Sequence, residues 1–516
     1  MNSISPNKWM ITITVMLATM MNAIDTSIVN VALPYMRGNL GASVEEITWV
    51  STGFILSNVI IMPIIALLSA RFGRRNFYFF SVSLFTLTSL LCGLAGSLHS
   101  LVFFRVLQGI GGGAITPLSQ AILRENFKPE EQGTAMGIFG LGVILGPAFG
   151  PTLGGWLTDH YSWPWIFYIN IPLGIINLIM VIRYLEDPPY LVREKGKIDW
   201  PGLGFMVIGL GALQLMLEKG QEKDWFSSRF IIWLAIISIS GLLLFVRREL
   251  TTEKPAVDLR LLKNFSFASG TVIGGALGMG LYASLFLLPM FLQQLLGYPA
   301  YDSGLIIMPR ALAMAFAMPL GGRLYNKIGP KPLIITGLLI SAVAFGQMAF
   351  LTTDTTFGVL LLPQIFQGFG LGLAFVAVST VTLSTVLREQ MTAATGLYNV
   401  VRQVCGSIGI ALSATFLTRG YMTSRTHLME NISAYSTEST KWIAGIRQLM
   451  ISKGTDVVTA NQQAIKVLGR FVDKHSYMLS FNRVYFLVSL LFVITIPLVF
   501  LLRTAGKSAV EDVPLE

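Results

Sequence analysis

The run MNAIDTSIVNVALP, Met21 to Pro34, holds a carboxylate, Asp25, inside an apolar segment that begins near Trp9. An ionised carboxylate at membrane depth is costly, so Asp25 must pair with a base, face water or take up a proton. An acid that gains and loses a proton there is what a proton-driven machine requires. A plainer reading is a helix-end acid satisfied by Thr26, Ser27 or Asn30. Arg105 is the natural counterpart. It stands near the start of another apolar segment, and at about 1.5 Å of rise per residue it reaches roughly the depth of Asp25 if the two segments run in opposite directions. Arg105 could instead snorkel to the headgroups. Gln108 and Gly109 share its helix face. A second base, Arg402, lies mid-segment late in the chain, either as a contact for cargo or as a structural arginine bonding carbonyl groups. Asn30 and Asn399 are the neutral polar candidates for contact with cargo or coupling ion.

These residues must be positioned by helices in lipid. The chain has 516 residues, 53% hydrophobic and 12% charged, whereas soluble domains carry about 25% charged residues. Spanning helices need roughly 20 mainly apolar residues. Fourteen stretches qualify, near 9–33, 47–69, 77–97, 100–123, 134–157, 165–185, 202–217, 230–246, 267–291, 304–325, 332–352, 357–386, 392–417 and 480–502. The seventh and eighth are the shortest. The formal charge is +10, and its bases cluster between apolar runs. With the N-terminus inside, the inner connections collect Arg71, Arg74, Arg75, Arg124, Lys128, Arg183, Arg193, Lys195, Lys197, Arg247, Arg248, Lys254, Arg260, Lys263, Arg323, Lys327, Lys331 and Arg388, and the tails add Lys8, Arg503 and Lys507. The short outer loops hold Arg37, Lys219, Lys223, Arg229 and Arg310. This bias places both termini in the cytoplasm and the polar segment 418–479 outside. That segment contains helix-like stretches such as TKWIAGIRQLMISK, and it is expected to project as a partly helical loop.

Two motifs repeat or recur. ALLSARFGRRNF (66–77) and GRLYNKIGPKPL (322–333) follow the second and tenth segments with the same pattern of small residue, base, glycine and base, which reads as a duplicated architecture. Gly142, Gly146, Gly150 and Gly154 recur every fourth residue and form a smooth helix face that another helix can approach closely. Pro147 and Pro151 remove backbone donors there and favour bends.

At these residues the sequence resembles the major facilitator superfamily, and within it the fourteen-span drug/proton antiporters of the EmrB type. AIDTSIVNVALP resembles their first-span motif, RVLQGIGGG (105–113) the fourth-span motif, GVILGPAFGPTLGGWL (142–157, with Gly155) the fifth-span antiporter motif, LQLMLEKGQEKDWFSS (213–228) the seventh–eighth span boundary, and NVVRQVCGSIG (399–409) the thirteenth-span motif. The inner-loop motif keeps Arg71, Gly73, Arg74 and Arg75, but Ala70 and, in the second copy, Asn326 stand where that family usually has Asp, so a charge relay through that acid does not carry over. The resemblance implies an all-α membrane fold of two six-helix halves (1–190 and 265–516) with two extra spans between them (191–264). It implies proton coupling through Asp25, Arg105 and Gln108, gating through the glycine motif, and a bacterial inner-membrane location. It also implies a periplasmic adaptor of the EmrA type and an outer-membrane channel as partners.

Other function classes lack their signatures. GGGAI is no phosphate loop, since no Gly-Lys-Ser/Thr follows. No ATP site is visible, so a proton gradient is expected to supply the energy with no cofactor. His99, His160, His427 and His475 show no metal-ligand spacing, and there is no catalytic cluster or nucleic-acid signature. Glu218 ends the seventh segment and is expected at the interface. With Asp25 ionised, the one acid and two bases, Asp25, Arg105 and Arg402, leave the interior at +1, and with Asp25 protonated at +2. With 22 Met and 33 Phe for adaptable apolar contact, neutral or weakly acidic amphiphiles are the expected cargo. A narrow physiological cargo such as a fatty acid, siderophore or metabolite is the alternative.

Overall fold

A computed structural model describes residues 8–188, 198–252, 255–430, 432 and 437–502. Arg193, Lys195, Lys197, Lys254, Arg503, Lys507 and the 190/191 boundary lie outside these residues. Fourteen helices among them are long and apolar enough to cross a membrane: Lys8–Leu40, Val44–Phe72, Arg74–Gly93, Leu98–Asn126, Gln132–His160, Trp165–Tyr184, Trp200–Lys219, Arg229–Thr251, Phe265–Leu295, Asp302–Ile328, Pro330–Met348, Phe357–Ser384, Arg388–Glu430 and Val457–Val499. They are called the first to fourteenth spans below. No strand occurs among the described residues. In lipid every backbone group must be satisfied within its own segment, which leaves a helical chain only this solution.

The seventh span is longer than its apolar core because Asp199 caps it, accepting from the Gly202 N–H at 3.3 Å. Its partner is the eighth span, and a Cβ on Gly241 would lie 2.9 Å from the Gly209 Cα, so these two helices touch backbone to backbone. The seventh span also reaches the second half through Gln214, which donates to the Ser407 hydroxyl at 2.9 Å.

The polar segment 418–479 is less a loop than a continuation of two spans. The thirteenth helix runs on to Glu430 and the fourteenth starts at Val457, with the helix Thr437–Ser452 between them. Hydrophobic pattern marks only the lipid-buried part of such a helix, so the apolar boundaries at 417 and 480 fall inside continuous helices. Side chains join these extensions. The Tyr421 and Tyr477 rings stack at 4.0 Å, Arg425 pairs with Asp473 at 2.8 Å, and Trp442 packs on Phe471 at 5.9 Å.

The duplicated turn is also visible in the backbone. Gly73 and Gly329 both adopt positive φ, 87° and 81°, where the chain leaves one span and enters the next. A side chain is strained in that conformation, so the motif needs glycine at this position. At the same face the halves are tied together. The Arg74 guanidinium binds Glu125 and donates to Thr392 at 2.9 Å, Arg124 donates to the Thr380 carbonyl at 3.0 Å, and Asn326 donates to the Glu130 carbonyl. Lys8 pairs with Glu131 there at 2.7 Å and holds its carboxyl below the usual range by hydrogen bonding.

The glycine stripe of the fifth span lies against the first span. A Cβ on Gly146 would collide with the Ala23 backbone, one on Gly150 with the Ser27 hydroxyl, and one on Gly154 would lie 2.7 Å from Ile28. Gly142 is looser, with its nearest atom at 3.5 Å, and Gly155 has nothing within 4 Å. Ser27 donates to the Gly146 carbonyl at 2.7 Å. Pro151 belongs to the same helix, while the Pro147 side chain lies outside what the structure describes. Gly146→Val should therefore separate the first and fifth spans and lower the melting temperature of detergent-solubilised protein, whereas Gly155→Ala should leave it unchanged. Equal melting of the two variants by fluorescence-detected size exclusion would contradict this packing.

Candidate functional site

Asp25 is wholly buried and Arg105 is 1% exposed. The Arg105 Nη1 donates to Asp25 Oδ2 at 2.6 Å and to Gln108 Oε1 at 2.6 Å, and its Nε donates to the Val50 carbonyl at 3.2 Å. The other carboxylate oxygen accepts from Gln108 Nε2 at 3.1 Å and Asn170 Nδ2 at 3.0 Å. Asn170 also donates to Ser89 at 3.1 Å. The guanidinium carbon lies 4.1 Å from the centroid of the Phe54 ring and 5.7 Å from that of Phe167. A buried ion pair is tolerable only when its remaining donors and acceptors are also satisfied, and cation–π contact lowers the cost further.

Five spans supply this cluster, and small residues bring them close enough. On the fourth span, a Cβ on Gly109 would strike the Phe54 carbonyl, one on Gly113 would lie 2.6 Å from the Asn58 carbonyl, and one on Gly112 would strike Asn22 of the first span. RVLQGIGGG therefore serves two purposes at once: Arg105 and Gln108 reach inward, and the glycines let the second and first spans approach. The Asp25 carboxylate and the Ser27 contact to Gly146 sit one turn or less apart on the same helix.

The sequence placed Asp25, Arg105 and Gln108 together, and the structure brings them into contact. It missed Asn170. The available signal was an amide within an otherwise apolar stretch, FYINIPLG, which alone does not say which acid it meets. Asn30 does not join the cluster; it is exposed and accepts from Ser51 at 3.0 Å. Asn399 is buried and donates to Gln120 of the fourth span at 2.7 Å, so it bridges the halves. Arg402 is half-buried, 5.2 Å from the Phe375 ring centroid, with no carboxylate partner among the described residues. Arg71 is exposed at the end of the second span, Arg75 donates to the Ile182 carbonyl at 2.5 Å, and the Arg75 backbone N–H donates to Asp187 at 2.7 Å. Glu218 is half-buried and accepts from Gln214 at 3.1 Å. Among the described residues no group of His, Cys, Asp or Glu could hold a metal ion.

One base is not where charge counting put it. Arg310, assigned to an outer loop, is 4% exposed within the tenth span, and its Nη1 donates to Ser284 at 2.5 Å. Hydropathy reads a base near a segment end as interfacial; a polar partner on a neighbouring helix holds it inside instead. The interior therefore carries one more positive charge than Arg105 and Arg402 alone. Lys219, assigned outside, ends the seventh span, where it is buried and donates to Thr48 at 2.8 Å and to Glu222 of the following connection at 2.7 Å.

The Major Facilitator Superfamily profile matches residues 15–410. The chain is 35% identical over 498 residues to the fatty acid resistance protein FarB of Neisseria gonorrhoeae, covering 96% of each. It is 34% identical to the multidrug export protein EmrB of Escherichia coli K12, covering 95% of this chain and 94% of that one. Among solved structures, the human organic anion transporter MFSD10 superposes with a TM-score of 0.62 at 13% identity, covering 96% of this chain and 100% of that one.

Removing one member of a buried ion pair costs about 3–5 kcal/mol because the other charge is left unpaired. Arg105→Gln should destabilise the purified protein on that order. The double variant Asp25→Asn/Arg105→Gln, which removes both charges, should recover much of the loss. A double variant no more stable than the single one, measured by thermal melting in detergent, would show that the pairing has little energetic weight.

Proposed function

The chain belongs to the major facilitator superfamily, and from that premise we propose that it is a proton-coupled exporter of hydrophobic, neutral or weakly acidic small molecules, working by alternating access in a bacterial inner membrane with both termini cytoplasmic. Gradient coupling rests on the Asp25–Arg105 pair at 2.6 Å. While Asp25 is ionised, the pair is neutral and locks the first span to the fourth. When Asp25 takes a proton, Arg105 loses its counter-charge and keeps only the Gln108 and Val50 oxygens. An uncompensated cation in a low-dielectric interior is expensive, so protonation favours a rearrangement that gives Arg105 a new partner or water. Asp25 has no solvent access in the conformation described, so proton exchange waits on that rearrangement. Such gating is what keeps a proton from crossing without cargo moving the other way.

The similarity to proteins named for multidrug export and fatty acid resistance supports export over import. The same likeness favours export over catalysis. The FarB name lends weight to fatty-acid-like cargo, the narrower alternative. We further propose that the helical extensions beyond the thirteenth and fourteenth spans, with the helix Thr437–Ser452, face the periplasm and dock an adaptor of the EmrA type that leads to an outer-membrane channel.

Two measurements test these readings. In liposomes, wild-type protein should release protons on adding an amphiphilic cargo, and Asp25→Asn/Arg105→Gln should abolish gradient-driven exchange. Undiminished exchange by the double variant would remove Asp25 from the coupling. Deleting residues 425–470 rejoins chain ends that already lie together, since Arg425 touches Asp473. The deletion should impair resistance in cells and spare exchange in liposomes; unimpaired cellular resistance would end the docking role.

A further inference from the structure

The second half contains a copy of the Asp25 site with its charges rearranged. Gln367 Nε2 donates to Ser284 at 2.7 Å across 83 residues of sequence, as Gln108 Nε2 donates to Asp25 across 83. Gly368 follows Gln367 and lies against the Arg310 carbonyl, as Gly109 follows Gln108 and lies against the Phe54 carbonyl. By this correspondence Ser284 occupies the place of Asp25, Gln364 that of Arg105, and Arg310 that of Phe54. The carboxylate has been replaced by a hydroxyl, and the arginine has moved from the twelfth span's position to the tenth.

The result is a buried cation with no fixed anion. Arg310 is 4% exposed, and Ser284 is its one hydrogen-bond partner among the described residues. A guanidinium has five N–H donors, and one neutral hydroxyl at 2.5 Å satisfies few of them. The Tyr485 hydroxyl, close enough to interact with Arg310 electrostatically, is buried without a hydrogen-bond partner. Its ring packs on Phe345 at 6.4 Å, and Phe345 packs on Phe492 at 5.4 Å, an aromatic wall of the same bundle. Cations inside a membrane are otherwise paired with acids or backbone carbonyls. Arg105 and Arg74 in this chain have acids, and Arg124 has a carbonyl.

We propose that the Arg310–Ser284–Tyr485 cluster is a site for a small monovalent anionic group in the second half, where the first half keeps its own carboxylate. The guanidinium supplies charge and paired donors, Ser284 and Tyr485 supply hydroxyl donors, and the aromatic wall suits an apolar tail. The anion is either the headgroup of a weakly acidic cargo or a free halide, since both answer the same unpaired charge. The site is closed in the conformation described, so binding requires the second half to open. As a cargo site this deepens the exporter reading and rests on it; as an ion site it stands without it.

The test is binding to purified full-length protein in detergent, read by tryptophan fluorescence and thermal shift. The probes are laurate against dodecanol, and chloride against gluconate. Wild type should prefer laurate over dodecanol by about tenfold or more, the scale of a charge-assisted hydrogen bond, or should be stabilised by chloride over gluconate. The first result assigns the site to cargo and the second to a free ion. Arg310→Gln should lose the preference and Arg310→Lys should keep part of it. Ser284→Asp, which builds in the missing counter-charge without removing the arginine, should also lose it while melting no lower than wild type. Wild type with neither preference, or Arg310→Gln and Ser284→Asp with the preference intact, would overturn the proposal. Exchange of protons for a neutral cargo by wild-type protein, measured separately in liposomes, tests the exporter reading alone.

Discussion

A charge held at membrane depth must find its compensation inside the protein. The interior of this chain is arranged around that constraint. Asp25 and Arg105 cancel each other, and Gln108, Asn170 and the Val50 carbonyl satisfy what the pair leaves over. Arg74 is matched by Glu125, and Arg124 by the carbonyl of Thr380. The last two lie where the halves meet, so the same requirement that makes a charge tolerable also ties one half to the other. A charged group used in this way gives direction to an interface that apolar side chains alone would leave free to slide, because lipid is as apolar as leucine and offers no hydrophobic drive between helices.

The second requirement is closeness. Side chains as short as Asp25 and Asn170 can meet only if the helices that carry them approach beyond the usual spacing. Glycine brings the fourth span against the first and second and the sixth against the third, and in the other half the twelfth against the tenth. The polar cluster and the glycine stripe are therefore one device. Without Gly109 and Gly113 the second span would stand off, and Phe54 would leave the face of Arg105. The cluster in turn helps to fix the rotation of the first span that presents Ser27 to Gly146, together with the Asn22 contact to Thr116 and the Asn177 contact to the Thr14 carbonyl.

Legibility from sequence follows from how local each constraint is. Fourteen spans could be read because lipid imposes its requirement on every residue of a span, whatever its neighbours. The Asp25–Arg105–Gln108 grouping could be read because an acid and a base at matching depth have few other partners. Asn170 could not, since a neutral amide is tolerable at many positions and its depth names no partner. Arg310 was misplaced for a related reason: its burial depends on Ser284 and Gln367, residues of two other spans that look ordinary in a sequence of 516. The helical extensions to Glu430 and from Val457 were missed at their boundaries, because helix continuity outside lipid rests on contacts such as Tyr421 with Tyr477 and not on hydropathy.

The first span connects the ion pair to the interface between the halves. Asn22 and Asp25 face the fourth span, while Ala23 and Ser27, one turn apart, face Gly146 and Gly150 of the fifth. The fifth span in turn lies against the tenth: a Cβ on Gly137 would lie 2.6 Å from the Met318 carbonyl, and Gly133 packs against Gly322. The contacts at Gly146, Gly137 and Gly133 are backbone against backbone, with no flexible side chain between to absorb a displacement. A rotation of the first span large enough to separate Asp25 from Arg105 must therefore either open the contact at Gly146 or carry the fifth span with it. In the second case the fifth span bears directly on the tenth. Close packing of this kind has discrete arrangements and not a continuum of them. The Asp25–Arg105 pair is thus placed two helix contacts, first span to fifth and fifth to tenth, away from the surface where the two halves meet.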